Sequence, residues 1–314
     1  MIAGAFSAKQ GDLSSAGQHM LFSAHPLRGV LFMVLSTGFF VINDSMMKLA
    51  AEALPPYQVL MLRGVAAFLW GAPLVLLAGY ASKAHLVFER RVLARNLAET
   101  GAILCYVVAL ANMPIADATA LGQVTPLLVL VGAAFLFGER ISRSGMLLIA
   151  CGFAGALLVA QPTMHGISIF AMLALANAVL CAVRDLVGRR VGGHVPGLIV
   201  AMSAVIVVLM GAGVAHLLTE EWTAPDRRQL MLLGSAGLFL VFGHFFMFMA
   251  YRVGPTRVVA PFYYCFTVWA VISGVAVFGE LPNALALVGM MLVIGSGLAI
   301  VLIDERKRRL VPVA

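Results

Sequence analysis

The chain has 314 residues, of which 62% are hydrophobic and 11% are charged. At a mean hydropathy of +1.00, this much apolar surface does not fit inside a water-soluble globule of this length, so most of the chain must be solvated by lipid. The net charge of +7 would suggest nucleic-acid binding in a soluble protein, but membrane proteins collect Lys and Arg in their cytoplasmic loops. Composition therefore excludes a soluble globular domain, and it gives no reason to expect a nucleic-acid partner.

Residues 1–26 precede the first apolar run. They lack the basic start and apolar core of a cleaved signal peptide, so we expect a cytoplasmic tail. Ten apolar runs then follow, each long enough to cross about 30 Å of hydrocarbon as a helix. Their predicted bounds are 27–47, 58–79, 94–113, 117–137, 144–161, 167–185, 196–217, 229–251, 257–278 and 284–303, before a basic cytoplasmic tail at 304–314. The sequence predicts an all-α integral membrane protein with ten transmembrane helices.

The two halves of the chain are copies of one unit, offset by 141 residues. Phe137-Gly138-Glu139 returns as Phe278-Gly279-Glu280 without a gap. The same offset carries Asp44 onto Asp185, Lys48 onto Arg189, Pro55 onto Pro196 and Pro114 onto Pro255. We therefore predict five-helix repeats at 27–162 and 163–303. One departure is that Pro126 in the fourth span corresponds to Thr267 in the ninth.

Charge sets the orientation of these spans. If the amino terminus is cytoplasmic, seventeen of the 21 basic residues lie on the cytoplasmic side, and only Lys48, Arg63, Arg227 and Arg228 lie outside. Such an imbalance places both termini in the cytoplasm. Because five is odd, the second repeat enters the membrane from the opposite side, so the repeats are inverted. Inverted repeats are typical of secondary carriers, which expose a midplane site alternately to either side.

Two phrases of the first repeat resemble a known family. ALANMPIADATALGQVTPLLVLVGAAFLFGERIS, followed by GMLLIACGFAGALLVAQP, is similar to the first-half signature of the drug/metabolite transporter superfamily in its ten-span EamA branch. NDSMMKLAAEALPPYQVLMLRG and NMPIADATALGQ are most similar to members associated with riboflavin or S-adenosylmethionine uptake. The resemblance implies a transporter of the bacterial inner membrane that moves small metabolites such as amino acids, vitamins or nucleotide-like compounds.

Ionisable residues inside spans are functional candidates, because an ionisable group at mid-bilayer costs about 2.5–3.5 kcal/mol. Asp44 and Lys48 lie four residues apart near the outer end of the first span, and their counterparts Asp185 and Arg189 lie near the inner end of the sixth. One interpretation is that each pair is an (i, i+4) ion pair that caps its span. The other is that each is a gate that breaks as the carrier alternates. Glu139 and Glu280, beside glycines at helix ends, are predicted to be structural.

Glu99 and His244 lie in the corresponding third and eighth spans. If both face the central space, they form a protonatable pair that couples transport to the proton gradient, since histidine titrates near physiological pH. Alternatively, Glu99 pairs with Arg95 and His244 donates to a backbone carbonyl.

Aromatic and amide side chains are the candidates for substrate binding. Eleven of the 28 aromatic residues fall between Phe239 and Trp269, which is too dense for interfacial belts alone. Many must face lipid or other helices, but a subset is suited to stack on a flat heterocycle with polar edges. The substrate-site residues that we predict are Gln123, Tyr264, Trp269, Phe248, Tyr251, Asn177 and Asn43, in a site lined by spans one, three, four, six, eight and nine. For the amides, hydrogen bonding between helices is the competing interpretation.

Backbone signals add two structural expectations. Pro126 in mid-span leaves the carbonyl of residue 122 without its usual partner, which predicts a kink beside Gln123. Gly132, Gly152, Gly155, Gly295 and Gly297 are expected to let neighbouring helices approach closely.

The sequence contains no Walker loop, HExxH motif, nucleophile elbow or Cys/His cluster, so we predict neither catalysis nor a bound metal or cofactor. The function predicted is a secondary active transporter, with a planar heterocycle such as riboflavin as its substrate. The alternatives are an amino-acid or S-adenosylmethionine transporter or exporter of the same family and, from another class, a membrane enzyme or pore. Its partners would be a small-molecule substrate and membrane lipid, with proton coupling open, and the chain would be a monomer or a homodimer.

Overall fold

A computed structural model describes residues 5–77, 79–138, 141, 143–161, 167–192, 194–254 and 256–310. The described residues form helices and connecting loops, with no β-strand among them. The α-helices are α1 Ala5–Ala51, α2 Pro56–Leu77, α3 Arg90–Asn112, α4 Ile115–Gly122, α5 Thr125–Phe137, α6 Arg143–Ala160, α7 Ile169–Gly188, α8 Gly197–Thr219, α9 Arg227–Val253, α10 Thr256–Val259, α11 Cys265–Phe278 and α12 Ala284–Leu310. Two 3₁₀ helices, Ala81–Phe88 and Ala260–Tyr264, precede α3 and α11.

Ten helical spans among the described residues are long and apolar enough to cross a membrane. They confirm the predicted all-α membrane fold, because each predicted apolar run coincides with one of them. Two helices run past the predicted spans: α1 begins at Ala5, in the predicted amino-terminal tail, and α12 continues to Leu310, in the basic tail. Large apolar side chains such as Leu77, Phe135, Leu217 and Met291 lie exposed on the outside of the bundle, as expected where the surrounding solvent is lipid.

The fourth and ninth spans are both broken in the middle. In the fourth span, α4 ends at Gly122 and α5 begins at Thr125, which confirms the kink predicted beside Gln123. In the ninth span, the 3₁₀ helix Ala260–Tyr264 separates α10 from α11, so the break falls at the corresponding place. Pro261 lies in its first turn, whereas residue 267, which matches Pro126, is threonine. The two spans also end alike, since Gly138 and Gly279 both take the left-handed conformation, with φ of 68° and 66°. A residue with a side chain is strained there.

The helices pack mainly across the two repeats. α1 packs most extensively on α9, which is a contact between the first and eighth spans. α3 packs on α7, which is a contact between the third and sixth spans. Exchanging the two repeats converts one of these contacts into the other. α2 with α8, α4 with α11 and α6 with α12 pair each span with its own counterpart. This two-fold pattern fits the inverted repeat predicted from the 141-residue offset.

The glycines contribute unequally to this packing. A β-carbon at Gly155 of α6 would meet the backbone of α12 at Gly289, and one at Gly289 would meet the Gly155 carbonyl, so these two helices touch backbone to backbone. Gly132 and Gly152 leave room for the Leu186 and Leu127 side chains. Gly295 differs from the prediction, since a β-carbon there meets nothing within 4 Å.

Candidate functional site

A cavity of about 1870 Å³ lies between the two repeats. Residues from all ten spans line it, so the predicted six-span lining was too narrow. It reaches the loop between α7 and α8 at Gly192 and Val195, which we call the open end of the bundle. Of the thirteen predicted site residues, the cavity is lined by Asn43, Asp44, Glu99, Gln123, Asn177, Asp185, Arg189, His244, Tyr251 and Tyr264.

The other end of the bundle, at Lys48 and Glu280, is the closed end. The Lys48 Nζ lies 2.9 Å from a Glu280 carboxylate oxygen and donates to the Met113 carbonyl at 2.6 Å. The same carboxylate accepts from the Ile115 N–H at 3.3 Å. These contacts tie α1, the start of α4 and the segment after α11 together across the repeats. Glu280 therefore belongs to a closure and does more than end a helix, whereas Glu139 lies outside the described residues.

Asp44 does not form the expected ion pair with Lys48. Its two carboxylate oxygens accept from the Asn43 side-chain amide at 2.8 Å and from the Tyr106 hydroxyl at 2.8 Å. Asp185 likewise pairs with a neighbour: it accepts from the Arg184 Nε at 2.8 Å, and its backbone carbonyl accepts from the Arg189 N–H. The (i, i+4) ion pair of Asp44 with Lys48 does not match these contacts, because other donors hold both Asp44 oxygens. The pairing of Asp185 with Arg189 stays a prediction. The gating roles of these residues stay predictions.

Glu99 lies at the centre of a charged cluster that joins α3 to α7. Its carboxylate accepts from the Arg184 guanidinium through both oxygens at 3.1 Å, and it lies 3.2 Å from Arg95 one helical turn earlier. The expected contact with Arg95 is therefore present, and Arg184 is a partner that sequence reasoning missed. Since Arg184 also binds Asp185, this network spans both repeats beside the cavity.

His244 lies near the Glu99 cluster without bonding to it. Its Nδ1 is 2.9 Å from the Leu240 carbonyl one turn earlier in α9, and the edge of its ring packs against Phe40. The charges of Glu99, Arg63 and Arg95 all act on the imidazole. The backbone contact matches the simpler of the two interpretations, while proton coupling stays a prediction.

Two amides at the cavity each hold an oxygen without a partner. Asn43 and Gln123 line the cavity, and their Oδ1 and Oε1 atoms are buried and accept no hydrogen bond from the described residues. The Asn43 amide nitrogen donates to Asp44, so its oxygen points elsewhere. Gln123 follows the end of α4 at Gly122, in the break of the fourth span. Because an unsatisfied buried acceptor costs about 1–3 kcal/mol, both amides gain hydrogen bonds if they turn toward a ligand in the cavity.

The structure divides the predicted aromatic residues into two groups. Tyr251 and Tyr264 line the cavity, together with Phe40, Tyr106, Tyr263 and Phe266. Trp269 lies outside this lining and donates from its ring nitrogen to the Val34 carbonyl of α1 at 3.1 Å. Phe248 is also outside it, 54% exposed on the bundle surface with Arg252 over its ring. Both positions agree with the majority expectation that any one ring faces lipid or another helix.

Arg63 is the cavity residue that sequence reasoning misplaced. It was assigned to the outer side because it stands near the start of a span, yet it is 5% exposed and lines the cavity from α2. It lies seven residues after Pro56, where α2 begins, or about 10 Å along the helix at 1.5 Å per residue. The sequence does contain a signal for a functional position here, because a lone arginine stands inside an apolar run.

Fold and cavity together define a polytopic membrane protein with a solute-sized polar site between inverted repeats. Residues 27–161 match the model of the EamA-like transporter family. Over its first repeat the chain is therefore similar to the EamA-type transporters of the drug/metabolite transporter superfamily.

Three curated relatives have similar lengths. A riboflavin transporter of Rhizobium johnstonii is 27% identical over 90% of this chain and 93% of its own. A pseudopaline exporter of Pseudomonas aeruginosa is 26% identical over 87% and 95%. An S-adenosylmethionine uptake transporter of Rickettsia prowazekii is 24% identical over 89% and 94%. A solved crystal structure matches 91% of this chain and 99% of its own with a TM-score of 0.64 at 20% identity, a likeness in fold. The likeness of the chain to named transporters supports a small-molecule transporter.

Proposed function

We propose that the chain is a secondary active transporter that carries a small metabolite with a planar ring, such as riboflavin, across the bacterial inner membrane by alternating access. The observation that carries the proposal is the cavity between inverted repeats, which reaches one end of the bundle while Lys48 and Glu280 join the helices at the other. A single site with one end closed is what alternating access requires. The basic loops assign the open end to the cytoplasm and both termini to the same side.

The cavity chemistry favours a ligand with a flat ring and polar edges. Phe40, Tyr263 and Phe266 are among the rings that line it, and rings of this kind stack on planar groups. The amides of Asn43 and Gln123 line the same cavity and are suited to hydrogen bonds with ring N–H or hydroxyl groups. Pockets for small ligands usually measure about 300–1,000 Å³, so a three-ring heterocycle fits here with water to spare. The riboflavin transporter relative supports the same substrate class.

Other substrates and other classes lead to different measurements. The relatives named for S-adenosylmethionine uptake and pseudopaline export keep an amino-acid-like substrate and the export direction as alternatives. Uptake into proteoliposomes that saturates with concentration supports a carrier, whereas flux that rises linearly indicates a pore. Release of a chemically altered product without net movement indicates an enzyme.

The first test is thermal stabilisation of the purified chain by riboflavin, S-adenosylmethionine, aromatic amino acids and nucleosides. A ligand present at 100 times its Kd adds about 2.7 kcal/mol of stability. We expect riboflavin to stabilise the wild type and Tyr251→Ala to weaken that effect, because Tyr251 lines the cavity. Phe248→Ala is the matched control, an aromatic residue one turn earlier in α9 but outside the lining. Stabilisation by small aliphatic amino acids, with none by flat heterocycles, would overturn the planar-ring substrate and leave the carrier intact.

A further inference from the structure

Arg63 is a buried cation for which the described residues supply no ion-pair partner. It is 5% exposed, and its Nε has no hydrogen-bond acceptor among the described residues. No carboxylate in the described part of the chain lies within ion-pair distance of its guanidinium. A buried charge usually persists only when paired or hydrogen-bonded, so this arginine, on the cavity wall, needs an explanation that the resting structure does not contain.

The two carboxylates that could pair with Arg63 already bind other donors. The charges of Asp44 and Glu99 both act on Arg63. However, the two Asp44 oxygens accept from Asn43 and Tyr106, and Glu99 is held by Arg184 and Arg95. Arg184 and Arg95 thus have a carboxylate as their ion-pair partner, and Lys48 forms an ion pair with Glu280. Arg63 has no such acceptor within the described residues, although it lines the same cavity.

We infer that Arg63 binds an acidic group, a carboxylate or a phosphate, carried by the transported metabolite. The planar-ring substrate would then be an acidic compound, and neutral riboflavin would be a weaker-binding analogue of it. A guanidinium presents planar N–H donors in a fork that matches the two oxygens of a carboxylate or phosphate. In the low-dielectric cavity such a contact is stronger than in water. The inference deepens the proposed function and rests on it, because it takes the central cavity as the substrate site.

The surroundings of Arg63 narrow the ligand further. Gly64 and Ala67 of α2 also line the cavity. Asn43 and Gln123 add amide groups to the same lining. The site therefore suits a metabolite with an anionic group for Arg63 and N–H or O–H groups elsewhere. The residue that matches Arg63 in the second repeat is Ala204, so the charge has no counterpart in the other half.

The experiment compares ligands that differ only in the acidic group. Thermal unfolding of the purified full chain is measured with nicotinate against nicotinamide, flavin mononucleotide against riboflavin, and tryptophan against tryptamine. Charge-assisted hydrogen bonds from an arginine correspond to about 10- to 100-fold in affinity. We expect the acidic member of at least one pair to bind tighter by a factor in this range. A preference confined to nicotinate or tryptophan identifies a carboxylate, and one confined to flavin mononucleotide identifies a phosphate.

Two variants then assign the preference to Arg63. Arg63→Gln should remove it, while Arg63→Lys, which keeps the charge but loses the fork, should keep part of it. Arg90→Gln removes the same charge from an exposed position at the start of α3, and the preference should be unchanged. If Arg63→Gln does not fold, labelling of the wild type with phenylglyoxal replaces it. Peptide mass spectrometry should then show Arg63 protected by the acidic probe and not by its neutral partner.

The outcomes separate this inference from the proposed function. Equal binding of acidic and neutral members overturns the role of Arg63, as does an acid preference that survives in Arg63→Gln, and both leave the carrier intact. The absence of stabilisation by every member of the panel counts against the metabolite site and the inference together.

Discussion

Tyr264 reaches the cavity because Gly297 of α12 leaves room for its ring. A β-carbon at Gly297 would collide with the Tyr264 hydroxyl. We expect Gly297→Ala to displace the tyrosine and to weaken ligand stabilisation or uptake several-fold, since overpacking a buried contact costs about 1–3 kcal/mol. Ligand-dependent thermal unfolding and uptake into proteoliposomes measure the effect.

Gly295 is the matched control for this substitution. It lies in the same helix, two residues earlier, and a β-carbon there meets nothing within 4 Å. Gly295→Ala should therefore bind and transport like the wild type. Equal losses in the two variants would indicate a general effect on α12 and would contradict the specific role of Gly297 in placing Tyr264.

Proton coupling through His244 is a second prediction at the scale of single residues. The imidazole lies at the cavity under the charges of Glu99, Arg63 and Arg95, and its protonation would change the balance of that cluster. We expect His244→Ala to lose most of the dependence of uptake on pH between about 5 and 7, a range in which histidine titrates. Initial uptake rates at fixed substrate and varied pH provide the measurement.

His85 serves as the control for this pH profile. It is exposed in the 3₁₀ helix before α3, where its ring contacts the Ser82 carbonyl. His85→Ala should keep the wild-type profile. A profile in His244→Ala identical to that of the wild type would remove His244 from the coupling mechanism.

Contacts between individual side chains were the feature of this molecule that its sequence predicted least well. Sequence spacing correctly gave the Glu99–Arg95 contact, because both residues lie on one helix. It did not give Lys48 with Glu280 or Glu99 with Arg184, which lie far apart in the chain. Arg63 was misplaced because loop charge was counted without its helical depth. Trp269 was predicted from ring density, which carries no information on the direction in which a ring points.

The helix breaks in the fourth and ninth spans belong to the scale of elements. Pro126 removes a backbone donor in the fourth span, but the ninth span breaks at the matched position with Thr267 in place of proline. The two breaks therefore share a location but not a proline position, since the ninth span instead holds Pro261 at the start of its 3₁₀ helix. We expect Pro126→Ala to keep the break and to change uptake by less than about threefold, with stability altered by less than the 3 kcal/mol that an interior proline costs.

The effect of Pro126→Ala is measured as uptake and as thermal stability beside those of the wild type. Thr267→Pro, which gives the second repeat the residue of the first, should likewise be tolerated because residue 267 lies in the first turn of α11. Complete loss of uptake in Pro126→Ala would show that the proline itself maintains the break.

Whole elements were more predictable than contacts. Each transmembrane helix is specified locally, since about 20 consecutive apolar residues must satisfy their backbone hydrogen bonds within the membrane. The break at Gln123 was predictable for the same local reason. The extension of α1 back to Ala5 was not, because no single residue marks it. Pro261 marked a bend in the ninth span, but not the 3₁₀ geometry that the segment takes.

The ion pair at the closed end predicts an equivalent ion pair at the open end, because the two repeats correspond residue by residue. Lys48 and Glu280 correspond to Arg189 and Glu139. We expect Arg189 and Glu139 to close the open end when the carrier exposes its site to the other side. After replacement of the four native cysteines by alanine, a cross-link between Lys48→Cys and Glu280→Cys should stop transport. A cross-link between Glu139→Cys and Arg189→Cys should do the same from the opposite conformation.

A reducing agent should restore transport in both cross-linked proteins, which controls for damage by the substitutions. Alternating access requires that each end open once in every cycle. Full uptake by a completely cross-linked protein, at either end, would contradict it.

The scaffold of the molecule is symmetric and its site is not. Helix pairs repeat under the two-fold exchange, yet the cavity holds Gln123 opposite Tyr264, Asn43 opposite Arg184 and Arg63 opposite Ala204 by the 141-residue correspondence. The symmetric arrangement of helices accounts for opening of the cavity toward either side of the membrane. The unlike side chains of the two halves let an asymmetric ligand bind in one orientation. Sequence comparison of the halves predicted the frame, while the contents of the site required the positions of its side chains.

Packing across the repeats also governs how the protein is made. α3 finds its principal neighbour only when α7 has been synthesised, and Arg184 follows Glu99 by 85 residues. At translation rates of about 5–20 residues per second, Glu99 waits roughly 4–17 s in the bilayer for that partner. Biogenesis therefore passes through an interval in which the first five helices lie inserted but unassembled. A chain that stops after α6 should be a substrate for membrane quality control, and a carboxy-terminal half supplied in trans should rescue it.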